Sequence, residues 1–181
     1  MMLSTLTLMT LVNPMLAATP QQDVKKVETL KIGDLAPDFT ADKWNGGSFK
    51  LSDRKDKVAV VTFWNSNTPA SKMVINHLQD LNTRTKTDQA VVWMFVNSGD
   101  QVSTYSDWMN KYAGRYAGVW GYDPLGTTVS DNIAWKWYGA TSIPATFVIG
   151  KTGRVVAIIN GYNTGDTRYF DALRTAGIKV D

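Results

Sequence analysis

The chain has 181 residues, 44% hydrophobic and 19% charged, a balance that closes one hydrophobic core and excludes a disordered polypeptide. Its formal net charge is only +3, from 19 Lys and Arg against 16 Asp and Glu with no basic block, so nucleic acid is not an expected partner. There is no cysteine and one histidine, His77, which excludes thiol chemistry and disulfides and leaves neither a metal site nor a cofactor to be expected.

Residues 1–18 carry no charge and place an apolar stretch ahead of Leu16-Ala17-Ala18. That is the pattern of a secretory signal peptide, though without its positively charged start, and it is too short for a membrane span. Residues 19–31 read as a flexible leader and 32–181 as one domain, so the protein is expected to be exported, periplasmic or extracellular.

Within the domain, Pro37 holds an extended opening segment, and Asn45-Gly46-Gly47-Ser48 reads as a hairpin turn. Residues 58–63 form a continuous apolar β-branched run, as a buried parallel strand does. Residues 69–86 follow as a helix, with Val74, Ile75, Leu78 and Leu81 at helical spacing. His77 is expected on the solvent side of that helix. Residues 90–96 form a second buried strand, and 103–113 a helix with Ser103 or Thr104 as its cap. Residues 122–126 are a turn and 128–138 a further helix. Residues 145–149 and 155–160 pair as a hairpin across Gly150-Lys151-Thr152-Gly153, and 166–176 form the last helix. Strands alternating with helices before a terminal hairpin give an α/β fold with a central mixed sheet flanked by helices.

One junction stands out. Between the first buried strand and its helix lies Trp64-Asn65-Ser66-Asn67-Thr68-Pro69-Ala70-Ser71. A strand, a tight turn and a helix N-terminus can expose one side chain to the helix dipole, the arrangement that activates a thiol. Here the side chains are hydroxyls. A hydroxyl nucleophile needs an adjacent base, and within one turn only Lys72 follows; Thr68 as helix N-cap with Pro69 at the first helical position explains the pair without chemistry.

The order of motifs resembles the redoxin branch of the thioredoxin superfamily, the TlpA/ResA-like thiol–disulfide proteins, and more distantly the peroxiredoxins. Gly33-x-x-Ala36-Pro37-x-Phe39, then Gly46-Gly47-x-Phe49-x-Leu51-Ser52-Asp53, then the 60–66 strand, then residues 138–149 with Gly153-Arg154-Val155-Val156 carry the likeness. The resemblance implies a thioredoxin-like fold and a cis peptide before Pro144. It places the family's nucleophilic cysteine at Thr68 and its resolving cysteine at Ser71. It also implies a substrate groove of Trp64, Pro69, Ile143 and Pro144, where the family binds extended peptide. With both thiols replaced, the expectation is a non-catalytic factor that binds a peptide or protein partner in the cell envelope. The alternative, by ancestry, is a thiol–disulfide oxidoreductase or peroxiredoxin-type protein. Among the seven tryptophans, Trp64, Trp93 and Trp120 are expected in or beside the sheet, and at most one of Trp135 and Trp137 is expected to be buried.

Overall fold

The structure, a computed structural model, describes residues 29–85, 90–128 and 130–180. The expected signal peptide (1–18) lies outside the described residues, as does all of the expected leader but residues 29–31.

Seven strands form one mixed sheet: β1 (Thr40–Lys43), β2 (Ser48–Lys50), β3 (Val58–Trp64), β4 (Val91–Asn97), β5 (Val119–Tyr122), β6 (Ala145–Ile149) and β7 (Val155–Asn160), in the spatial order β2-β1-β5-β4-β3-β6-β7. β3, β4 and β5 run parallel, while β6 pairs antiparallel to β3 and β7 antiparallel to β6. Every residue of β3 is buried, as a strand covered on both faces requires. Its side chains alternate between two cores. Val58, Val60 and Trp64 enter the layer formed with α1 (Pro69–Arg84), α2 (Val102–Tyr112) and α3 (Arg168–Thr175). Ala59, Val61 and Phe63 enter the opposite layer with Phe39, Phe49 and Tyr138.

That second layer explains why the separate sequence motifs occur together. Tyr138 packs edge-on to Phe39 and tilted against Phe63, with centroids 5.8 and 5.1 Å away, and its hydroxyl donates to the Pro37 carbonyl at 2.8 Å. Gly121 is needed on β5 because a Cβ there would collide with the Phe49 ring.

The strands at 58–63, 90–96, 145–149 and 155–160 and the helices at 69–86, 103–113 and 166–176 are present with small changes at their ends. Neither Ser103 nor Thr104 caps α2; Gln101 holds the N-cap position without a side-chain bond. β5 is a strand the sequence pattern does not reveal. The helix expected at 128–138 is a short π-helical segment, Ile133–Trp137, instead. Its start is set by two acceptors: the Asp123 carboxylate takes the Ile133 N–H at 2.6 Å and the Asn132 side chain takes the Trp135 N–H at 3.0 Å. Trp135 is half-buried and Trp137 is 50% exposed.

His77 departs from its expected place in solvent. Its ring packs against Tyr162, Tyr169 and Phe170, with centroids 5.3–6.1 Å away. It follows Val74 by three residues and precedes Leu81 by four, on the flank of the buried stripe rather than opposite it. Desolvation under these rings holds its pKa below the ordinary 6.5, against the opposing charges of Asp166 and Asp80, with Arg84 adding to the lowering. An unfolded chain therefore takes up the proton more readily than the folded one, so the contribution of neutral His77 is complete above 6.5 and fades as the pH falls below it. Thermal melts should show the wild type losing more stability than His77→Phe between about pH 7.5 and about pH 5.5. Parallel curves for the two proteins would refute this.

Candidate functional site: the turn between β3 and α1

The turn leaves the C-terminal end of the central strand and is held from beneath by one carboxylate. Asp100, 2% exposed in the segment after β4, accepts the Ser66 N–H at 2.8 Å and the Asn97 Nδ2–H at 2.7 Å through the same oxygen. Its other oxygen accepts from the Asn67 amide at 3.4 Å, and its backbone carbonyl accepts the Tyr122 hydroxyl at 3.1 Å. A second set of bonds closes the turn on itself. The Asn65 side-chain oxygen accepts the Thr68 N–H at 2.9 Å, and the Thr68 carbonyl accepts the Ser71 N–H at 3.0 Å. The sequence pattern gives Asn65 no role within the junction and does not point to Asp100 at all; a single acidic residue after Ser98-Gly99 gives no local sign that a distant turn will bury it.

Thr68 keeps the N-cap position expected of it without the capping bond, and Ser71, the other position where the resemblance places a cysteine, is buried. Thr68 occupies the N-cap position of α1 with extended backbone, but its side chain makes no capping bond. Ser71 is fully buried, and its hydroxyl oxygen accepts the Asn65 N–H at 3.4 Å. The reason lies in the helix period: Ser71 precedes Val74, Ile75 and Leu78 by three, four and seven residues, so it extends the apolar stripe of α1. Ser71→Ala is therefore expected to cost about 1 kcal/mol by removing the acceptor of the part-buried Asn65 N–H. Thr68→Ala should stay within about 0.5 kcal/mol, as partly exposed positions without a bond usually do. Urea denaturation of both variants decides it, and a larger loss for Thr68→Ala would restore the side-chain cap.

Trp64 also moves. Expected to line a groove, it is 0% exposed and lies in an aromatic cluster with Tyr105, Trp108 and Trp120, at centroid distances of 6.2, 4.6 and 5.6 Å. Strand alternation sends it into the helical layer, one residue after Phe63 has pointed the other way. Trp64, Trp93 and Trp120 are thus all buried in one layer, in or beside the sheet as expected.

The Ile143–Pro144 peptide bond is cis. Because Phe63 pairs with Ala145, this bond lies level with the start of the turn on the neighbouring strand, one strand spacing of about 4.8 Å away. The Pro144 side chain is buried and its carbonyl accepts the Gly161 N–H at 2.8 Å, whereas Ile143 is half-buried and Pro69 is exposed. Of the four residues expected to line the groove, Ile143 and Pro69 offer side-chain surface; Pro144 is inside and Trp64 is beneath. Among the described residues, no hydrogen bond reaches the Ile143 N–H or C=O.

A mixed sheet with a strand–turn–helix junction level with a cis-proline loop defines the thioredoxin-like class of proteins. Residues 32–158 match the AhpC/TSA family, and the chain belongs to it. Among curated relatives it is 27% identical over 137 residues to the thiol-disulfide oxidoreductase ResA of Bacillus subtilis, covering 76% of this chain and 72% of that one. It is 27% identical over 145 residues to ResA of Geobacillus kaustophilus, covering 79% and 78%. Similar solved folds include a Chlorobium tepidum protein described as a thiol:disulfide interchange protein DsbE (TM-score 0.70, 22% identity, 82% of this chain and 99% of that one). Another is the exposed lipoprotein thioredoxin Etrx1 of Streptococcus pneumoniae (TM-score 0.59, 23% identity, 76% and 99%).

The chain departs from the chemistry those names describe. Exchange between thiols and disulfides proceeds by thiolate attack on sulfur, and this chain has no cysteine to supply a thiolate. The buried Ser71 hydroxyl is committed to the turn, and the Thr68 hydroxyl stands beside no histidine or carboxylate partner among the hydrogen bonds of the site. No helix among the described residues is long and apolar enough to cross a membrane.

Proposed function

We propose that this protein is an exported, non-catalytic member of its family that binds an extended peptide or protein segment in the cell envelope along the cis-proline loop. The observation that carries the proposal is the free backbone N–H and C=O of Ile143 beside a turn that hydrogen bonds hold in place. An extended chain can add to such an edge by main-chain pairing, with affinity from the backbone and selectivity from side chains nearby. The Ile143 and Pro69 side chains supply the apolar contact. Binding of this kind needs no sulfur. An envelope location accords with the apolar stretch ahead of Leu16-Ala17-Ala18 and with the exposed lipoprotein among the similar folds.

The test compares wild type with Ile143→Asp in a pull-down from envelope extract. Ile143 is half-buried, so circular dichroism must first show that the variant is folded. The expected result is a partner recovered by the wild type and lost with Ile143→Asp. Recovery of the same partners by both would remove the cis-proline loop as the binding surface.

A further inference from the structure

The opposite end of the same strands carries a concavity of about 370 Å³. Along the β3–β6 ladder, Ala59 pairs with Ile149 and Phe63 with Ala145, so four residues separate the two ends, about 14 Å along the strands. Leu35, Ala36, Leu51, Ala59 and Ile149 give this cavity an apolar lining. Arg54, Lys55, Lys57 and Lys151 also line it, against two carboxylates, Asp38 and Asp56.

The charges there are not spent on each other. None of the four cations forms an ion pair among the described residues. Asp38 instead accepts the backbone N–H groups of Phe39 and Ser52, at 3.0 and 2.9 Å. Arg54 is half-buried, and its Nε has no hydrogen-bond partner among the described residues. Leu35 of the lining is 63% exposed, and Ile32, three residues earlier in the chain, is 67% exposed.

We infer that this cavity is a binding site for a small amphipathic anion, a short acyl chain ending in a carboxylate or phosphate. The apolar lining takes the chain out of water, and the surrounding cations receive the head. A purely apolar ligand would leave the cations without a partner, and a purely polar one would leave the lining wet; the amphiphile answers both. The site is independent of the cis-proline loop, since no residue is shared between them.

Octanoate is the probe, titrated into the full chain and followed by backbone NMR shifts. Saturable shifts confined to Ala36, Ala59, Ile149 and Gly153 are expected, with octanol and acetate each far weaker. The triple variant Lys55→Gln, Lys57→Gln, Lys151→Gln should weaken octanoate about tenfold, as loss of three exposed charge contacts of a few tenths of a kcal/mol each implies. Ala36→Phe, which fills the half-buried edge of the cavity, should abolish the shifts while the melting temperature is kept. Ile143→Asp should change nothing. Vesicles of phosphatidylglycerol separate the sources: capture lost in the triple variant assigns the chain to a membrane lipid, and octanoate binding without capture assigns a free amphiphile. Octanoate shifts no larger than those of octanol or acetate, or undiminished in both cavity variants, would overturn the inference.

Discussion

Replacing Trp64 by alanine should cost about 3–5 kcal/mol, the usual loss when a fully buried large aromatic is truncated and its surroundings close only in part. The residue is completely inaccessible and touches three other aromatic rings of the helical layer. For a chain of this length such a loss lowers the melting temperature by roughly 6–20 °C. Trp64→Phe separates packing from polarity, because the indole Nε1 has no hydrogen-bond partner. The phenylalanine variant should lose clearly less than the alanine variant. Calorimetry of both proteins decides it; a Trp64→Ala variant as stable as wild type would return Trp64 to the surface and to the groove.

Asp100→Ala should cost about 3 kcal/mol, because it strands two buried donors at once, the Ser66 N–H and the Asn97 amide. Asp100→Asn keeps the shape and one acceptor, so it should lose less. The two variants also differ from Trp64→Ala in where the damage falls. Hydrogen exchange should accelerate at Ser66, Asn67 and Thr68 in Asp100→Ala before any change in the sheet. Uniform acceleration throughout the protein would mean that Asp100 supports the fold at large and not the turn.

Much of the architecture is legible in the sequence because strong local signals coincide with the tertiary outcome. The β6–β7 hairpin falls at its expected residues because two apolar runs flank a Gly-bounded turn. β3 is legible as an unbroken β-branched run. β5 is not, since Val119-Trp120-Gly121-Tyr122 is four residues long, contains a glycine and has no period to count. Its strand state comes from parallel pairing with β4 and antiparallel pairing with β1. The 128–138 helix failed for another reason: Asp123 and Asn132 compete for the N–H groups that begin it.

The site divides in the same way. The strand–turn–helix junction and the positions of Thr68, Ser71 and Pro144 follow from spacing and resemblance. Ser71 burial was also within reach, because the α1 stripe extends back to it at offsets of three, four and seven. Trp64 required knowing which face of β3 meets the helices, and that is decided by the packing of α1 and α2. Asp100 lies 34 residues from the Ser66 N–H it accepts, a contact that no local pattern encodes.

The position of β3 has a kinetic consequence. It lies inside the sheet, bonded by β4 on one side and β6 on the other, with all of its residues buried. Its amides can exchange with solvent only when neighbouring strands separate, so they belong to the last-opening unit of the protein. Ile143 is attached to the adjoining β6 by a single proline, so the proposed recognition edge stands against the slowest-opening part of the molecule. A peptide docking there as proposed would meet a preformed edge, so the conformational ordering on association falls mainly on the incoming chain.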